Sequence, residues 1–311
     1  MPTIKQLWSA SLSKGLQASL RIEASVGRSL PEDHETRIQQ LSREVQYLKQ
    51  ANAELSKTTS RSNESPKVAR RNSGKHGDGA IVVDGTVLPP RDARPCGSAH
   101  RDDERYLETA DRAATWLIEK LGVKSGTSLL DVGCGPGRVA IGLTRQLGDD
   151  LSYHGVDVKD KWVRWAQRNI TTDHPNYRFS HLDVKSDRYN PSGASLPREF
   201  SFPFPDSSFD FICLFSVFTH MMPDDVRVYL HDFRRILKPN GRLLTTAFLE
   251  DDVPEVEENP PNYKGRQWSG PLHCVRYERA FFQRLLEECG FKLDLEDPKQ
   301  KHQRHLYLSK A

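Results

Sequence analysis

The chain has 311 residues, 36% hydrophobic and 28% charged, too polar an average for one compact globule; a folded domain joined to a solvated segment is implied. No apolar run approaches the roughly 18 residues needed to span a bilayer. Five scattered cysteines without a CxxC pair argue against a disulfide framework or zinc ribbon and predict a reducing, cytoplasmic setting. The net charge of +3 is too small to imply nucleic-acid binding by itself.

That charge is unevenly spread: the first 100 residues hold 15 lysines and arginines against 10 acids, and the rest hold 30 against 32. Residues 1–31 set Ile4, Leu7, Trp8, Leu12, Leu16 and Leu20 among Lys5, Lys14 and Arg21, an amphipathic extension whose pattern interfacial helices and transit peptides share. Residues 32–55 predict a helix, because Pro31, Glu32 and Asp33 suit a helix start. Along it Ile38, Leu41, Val45, Leu48, Asn52 and Leu55 alternate at spacings of three and four, with Asn at an a position. Such a stripe either packs on its own domain or forms a short coiled coil, so a homodimer through residues 32–55 is a candidate assembly. Residues 56–101 read as a flexible linker to about Gly79, followed by a partly ordered lead-in over Ala80–His100.

From Asp102 to the end, strands alternate with helices. The predicted order is helix 106–121, strand 128–132, helix 137–147, strand 151–158, helix 161–170, strand 177–184, strand 209–215, helix 223–237, a turn at Lys238-Pro239-Asn240-Gly241, strand 242–248, helix 277–289, then strands 291–295 and 305–309. This βαβα order predicts an α/β fold with a doubly wound, mostly parallel sheet of seven strands. The last two strands lack an intervening helix, so they form a hairpin that puts an antiparallel strand into the sheet.

The strongest local signal is Leu129-Leu130-Asp131-Val132-Gly133-Cys134-Gly135-Pro136-Gly137-Arg138, lying between a strand and a helix. Glycines there allow a sharp turn and a close approach of backbone to a ligand. A dinucleotide site needs a third glycine where Arg138 stands, which argues against a nicotinamide-dependent reductase. The G-x-G-x-G spacing, with Asp131 two residues ahead, resembles motif I of the class I S-adenosylmethionine-dependent methyltransferases. Asp210, opening the fourth strand, resembles the family's motif IV, and LKPNGRLL its entry to the fifth strand. The resemblance covers about residues 102–310 and implies a Rossmann-like methyltransferase fold with S-adenosyl-L-methionine as methyl donor.

By the same resemblance Asp131, Gly133, Gly135 and Gly137 form the donor loop. Asp157, 20 residues after Gly137, takes the ribose hydroxyls. Asp183 takes the adenine amino group with Leu182 beside the ring, and Ser216 lines the donor pocket. His220, in the segment after the fourth strand, is the candidate general base, with helix capping or pocket-wall packing as its structural alternative. Cys134 reads as a small space-filling residue, with no basic partner in the sequence to activate it.

The stretch SFPFPDSSFDFICLFSVFTHM resembles a bacterial group that tailors glycans and small molecules, which implies methyl transfer to oxygen, ahead of nitrogen, on a sugar or small metabolite. Asn259-Pro260-Pro261-Asn262-Tyr263 is similar to the tetrad of amino-group nucleic-acid methyltransferases. It follows the fifth strand instead of the fourth and is interrupted by Asn262, so it reads as a turn. His273, Cys274, His302 and His305 do not make a metal set, and no metal is expected. The acid-rich segment from Glu250 to His273, with residues 187–203, is expected to form the acceptor side of the pocket. Its negative field would disfavour DNA or RNA. A rival reading from another class is a non-catalytic donor-binding scaffold that works through its N-terminal coil.

Overall fold

The computed structural model describes residues 79–95, 97–297 and 302–311. The extension at 1–31, the heptad at 32–55 and the linker through residue 78 lie outside the described residues.

The chain first makes a small hairpin of β1 (Ile81–Val83) and β2 (Thr86–Leu88). Helix α1 (Asp103–Trp116) starts where the Asp102 carboxylate accepts a hydrogen bond from the Arg105 amide, and a π turn carries it on to Leu121. Then follow β3 (Ser128–Val132), α2 (Arg138–Leu147), β4 (Ser152–Asp157), α3 (Asp160–Ala166) and β5 (Tyr177–His181). After a long loop come β6 (Phe209–Leu214), α4 (Pro223–Ile236), β7 (Leu237–Glu250), β8 (Val256–Glu258), β9 (Val275–Glu278), α5 (Arg279–Glu288), β10 (Phe291–Glu296) and β11 (Arg304–Lys310).

The main sheet runs β10-β11-β7-β6-β3-β4-β5. Strands β3 to β7 pair in parallel, and β11 enters antiparallel to both β7 and β10. This is the doubly wound arrangement expected from the order of elements, hairpin included. Its central strands are apolar on both faces because helices cover both sides; Leu129, Leu130, Ile212, Cys213 and Leu243 are all fully buried.

Three features depart from the sequence expectation. Residues 80–101, read as a partly ordered lead-in, carry the hairpin and two short 3₁₀ helices. They are held by Leu88, which is fully buried, and by Arg94. The Arg94 guanidinium pairs with Asp103 at 2.8 Å, donates to the Pro89 carbonyl at 2.9 Å and lies over the Tyr106 ring. Second, β7 begins at Leu237: Phe209 pairs with Leu237 and Phe211 with Arg242, so the intervening turn residues bulge out of a continuing strand. Third, β9 pairs with the end of β7 and β8 with β9, and β9 takes in Tyr277 and Glu278, the first residues of the predicted helix 277–289, so that α5 starts at Arg279.

Close packing of α1 on α2 depends on small residues. A Cβ on Gly142 would stand 2.1 Å from the Ala110 carbonyl oxygen, with Ala113 and Ala114 buried alongside. That contact fixes α1 above the mouth of the sheet.

Candidate functional site

A cleft of about 990 Å³ opens at the carboxyl ends of β3, β4, β6 and β7, where ligands bind in open α/β sheets. One wall is the loop after β3. The Gly133 and Cys134 amides donate to the Val156 carbonyl at 2.8 and 3.1 Å, tying the loop to β4. Gly133 has φ +74°, and a Cβ there would meet Val217 at 2.5 Å, so glycine is required for both conformation and space.

The Gly135 amide donates to Asp157 Oδ2 at 2.8 Å, and the Lys159 amide donates to Oδ1 at the same distance. Asp157 is thereby locked at the end of β4, facing the cleft. Burial pushes its carboxyl up to about 6, against the pull of these two amides. Each oxygen retains a lone pair, so the group can accept two further hydrogen bonds from the cleft. Leu182 adds an apolar surface beside it.

The opposite wall begins at Ser216, a non-glycine residue at φ +59° immediately after β6. Such a conformation costs about 1–3 kcal/mol and persists where neighbours enforce it. Here the Ser216 amide donates to Thr246 Oγ1 at 2.8 Å, and the Ser216 and Thr246 hydroxyls both donate to Gln303 Oε1, at 2.8 and 2.9 Å. The turn leads into a single 3₁₀ turn, Phe218–His220, in which Phe218 and Thr219 are buried and His220 lines the cleft. His220 Nδ1 is 2.9 Å from the Leu272 carbonyl; since a carbonyl only accepts, Nδ1 carries the proton and Nε2 keeps its lone pair. Burial, helped by the charge of Arg188, lowers the His220 imidazole to about 4, so it is neutral at physiological pH. The Tyr189 ring meets it edge-on at 5.6 Å.

Gly133, Gly135, Asp157, Leu182, Ser216 and His220 therefore line one cleft. Three other sequence candidates lie outside its lining. Asp131 is buried behind the loop, where the Tyr153 hydroxyl donates to Oδ2 at 2.6 Å and burial raises its carboxyl to about 6. Gly137 faces the core: its φ is +89° and a Cβ would stand 2.4 Å from Ile170. Asp183 is exposed in the loop past β5, with Oδ1 accepting from Asn190 at 3.1 Å. Asp210 stands at the start of β6, at the far end of the strand from the cleft, bound by Ser128 and Lys238. Cys134 is buried, and desolvation pushes its thiol well above the ordinary range.

Sequence reasoning missed much of the wall. Pro95, Gly97 and His100 come from the lead-in, Arg105, Arg112 and Trp116 from α1, and Gln303 and His305 from the start of β11. No spacing in the sequence signals these contacts, because packing between distant elements makes them. His273, His302 and His305 do share this cleft, although among the described residues no three His, Cys, Asp or Glu side chains converge as metal ligands.

The expected negative field needs correction. Glu250 pairs with Lys264 at 2.6 Å, Asp251 with Arg279 at 2.7 Å and Glu255 with Arg284 at 3.0 Å; Glu257 pairs with Arg276. Glu258 accepts from the Leu272 amide at 2.6 Å. None of these acids lines the cleft; what that segment contributes there is Arg266, Trp268, Leu272 and His273. The Pro-rich stretch is a turn: the Asn259 side chain donates to the Gly270 carbonyl and accepts from the Cys274 amide, so its carboxamide is occupied by backbone.

Residues 129–241 match a family model described as a methyltransferase domain. The O-methyltransferase rstn1 of Aspergillus nomiae is 27% identical over 208 residues, 61% of this chain and 83% of that protein. The 27-O-demethylrifamycin SV methyltransferase of Amycolatopsis mediterranei is 32% identical over 152 residues, 48% of this chain and 49% of that one. For most of the curated relatives it matches, the chain spans about half of their length. Among solved structures, the 1,6-didemethyltoxoflavin-N1-methyltransferase of Burkholderia thailandensis is similar at 19% identity and a TM-score of 0.44, over 75% of this chain and all of that one. No helix among the described residues is long and apolar enough to cross a membrane. Residues 129–241, which carry the glycine loop, Asp157 and His220, are thus similar to a methyltransferase domain.

Proposed function

We propose that the protein transfers a methyl group from S-adenosylmethionine to an oxygen, ahead of nitrogen, of a sugar or other small-molecule acceptor. The observation that carries this reading is that Asp157, locked by the Gly135 and Lys159 amides, and His220, with Nε2 free to accept, line the same cleft.

The residues present suit the donor. Gly133 permits a close backbone approach, the remaining lone pairs of Asp157 suit two ribose hydroxyls, and Leu182 offers an apolar surface to a flat base. Asp183, to which the resemblance gives the exocyclic amine, is held by Asn190 outside the cleft lining, so the reading does not rest on it. Asp131 and Gly137 act from behind, one bracing β3 against β4 through Tyr153 and the other letting α2 start tight against the core. When bound, S-adenosylmethionine supplies a methyl group on a sulfonium that is already a good leaving group, so no covalent intermediate with the protein is needed.

The task left to the chain is alignment, exclusion of water and proton removal. The Leu272 carbonyl fixes the His220 tautomer, and Nε2 takes the hydroxyl proton as the acceptor oxygen bonds to the methyl carbon and the carbon–sulfur bond breaks. With its imidazole near 4, His220 is fully in the accepting form at neutral pH and is a weak base. It acts late, when attack on the methyl has already made the hydroxyl acidic.

The test is thermal unfolding with S-adenosylmethionine, S-adenosylhomocysteine and, as control, NADH. At a hundred times its dissociation constant a native-state ligand stabilises by about 2.7 kcal/mol. Both sulfur nucleosides should raise the midpoint and Asp157→Ala should abolish the rise. A response to NADH alone would overturn the reading, and donor binding without turnover on any acceptor would favour the scaffold.

A further inference from the structure

Given the reading of the cleft as a methyl-transfer site, we propose that the acceptor is an anion. It is a small hydroxylated molecule whose carboxylate or phosphate group is held by the guanidinium groups of Arg188 and Arg266, with its hydroxyl toward His220.

The arginines that line this cleft fall in two groups, and Lys185, which lines it too, is paired with Asp187. Arg105, Arg112 and Arg138 surround His100 near the glycine loop, where their charges act on its imidazole. The donor carries one carboxylate, and this group answers it. Arg188 and Arg266 stand apart from them, on the two long loops that close the facing wall. The charge of Arg188 acts on both His220 and His273, and that of Arg266 on His273, so the two arginines share His273 as a neighbour and Arg188 faces the candidate base as well.

Neither Arg188 nor Arg266 has an acidic partner among the described residues. Arginines elsewhere on the same scaffold do: Arg145 pairs with Asp111, Arg279 with Asp251 and Arg284 with Glu255. The one acid adjacent to Arg188 in sequence, Asp187, is taken by Lys185 at 3.0 Å. Arg188 Nε is buried without a hydrogen-bond partner, a donor that an anion in the cleft would satisfy.

Both guanidiniums are also held in orientation. Arg188 lies 5.4 Å from the centroid of the Tyr189 ring and Arg266 5.8 Å from that of Trp268. Stacking on an aromatic face steadies the plane of the guanidinium and leaves its N–H edge for paired hydrogen bonds to a carboxylate or phosphate. Glu250, Asp251, Glu255 and Glu257 are bound away from the cleft by Lys264, Arg279, Arg284 and Arg276; of the acids that line it, Asp157 is held by the Gly135 and Lys159 amides, Asp187 is paired with Lys185, and burial raises the Asp225 carboxyl.

The experiment loads the full chain with S-adenosylhomocysteine and measures binding of matched probes at constant ionic strength. One pair is 3,4-dihydroxybenzoate and 3,4-dihydroxybenzamide, alike in shape and differing in charge; the other is glucose 6-phosphate and glucose. The expected result is at least tenfold tighter binding of the charged member in one pair, and the pair that responds tells carboxylate from phosphate. In Arg188→Met/Arg266→Met that ratio should fall to near one while the midpoint shift caused by S-adenosylhomocysteine persists, which also reports that the variant folds. Equal or absent binding of charged and neutral members, in wild-type protein that still responds to S-adenosylhomocysteine, overturns the anionic acceptor and leaves the donor site standing. No response to S-adenosylhomocysteine overturns both.

Discussion

On the glycine-loop wall of the cleft, Gly133, Gly135, Asp157 and Leu182 each stand within a few residues of the end of a parallel strand, and backbone amides of the same short loops hold them. On the facing wall, Arg188, Arg266, Trp268 and His273 come from long loops that follow β5 and β8, and side chains from other elements pin those loops. The Phe202 amide donates to Asp232 on α4 at 2.7 Å, Arg235 donates to the Phe202 and Phe204 carbonyls, and Phe202 stacks on Phe233 at 5.2 Å. Asn259 and Glu258 do the same for the second loop. The first wall is local geometry set by the sheet, suited to a constant ligand. The second is a tertiary construction, and its loops can change without disturbing the strands.

The largest expected effect tests whether the chemistry is on the facing wall. His220→Gln keeps a side chain of similar reach but loses the basic nitrogen, and kcat should fall by about 10²–10⁴, the usual worth of a general base. The midpoint shift with S-adenosylhomocysteine should survive. In the wild type, protonation removes the base, so the rate should be level through neutral pH and fall as pH drops toward about 4. The same depressed value bears on stability. Unfolded His220 binds its proton near 6.5 and folded His220 only near 4, so its share of stability is lost as pH falls through that window. Asp157 works in the opposite sense. Its folded value of about 6 exceeds the unfolded 3.8, so its burial penalty is fully felt above pH 6 and fades toward pH 4. A kcat unchanged in His220→Gln would move the base elsewhere.

A smaller effect separates two glycines of one loop. Gly137→Ala meets Ile170 at 2.4 Å as well as adopting an unfavourable φ of +89°, and should destabilise by roughly 2–4 kcal/mol. Gly135→Ala finds its nearest new contact at an ordinary 3.6 Å from Pro95, so only the positive φ of +56° counts, about 1–2 kcal/mol. Denaturant midpoints at equal m-values compare them directly. Equal losses would mean that Gly137 does not pack on the core as described.

On the facing wall, Asn259→Ala leaves the Cys274 amide and the Gly270 carbonyl without their side-chain partner, a loss of about 1–3 kcal/mol. Its functional signature should be a raised acceptor KM with little change in donor affinity. A change confined to donor affinity would contradict the division between the walls.

The contrast between the walls also explains what was legible in the sequence. The strand-loop-helix around Gly133 announces itself because sharp turns demand glycine, and Asp157 follows at the spacing set by one helix and one strand. The position of His220 on the cleft is legible because the segment after β6 leaves the sheet at the carboxyl ends of the strands. The role of Asp131 was misplaced because a residue two before a loop can point either way out of a strand, and the Tyr153 hydroxyl that captures it is visible only once β4 lies beside β3. Arg188, Arg266 and Gln303 gave no signal at all. The acids at Glu250–Glu258 gave a false one, since composition reports charges without their partners.

That false signal supports the smallest prediction. Glu255 pairs with Arg284 at 3.0 Å on the surface, with both side chains more than half exposed, and such pairs contribute about 0–1 kcal/mol. Glu255→Gln should therefore leave stability within about 0.5 kcal/mol of wild type, and acceptor KM unchanged at low salt, where any field from this acid would be least screened. Had the acidic segment faced the cleft as its composition suggested, neutralising Glu255 would tighten binding of an anionic acceptor at low salt and lose that effect at high salt. Acceptor titrations of this single variant at two ionic strengths thus decide whether the negative charge of the loop acts on the cleft or is held at the surface by Arg276, Arg279 and Arg284.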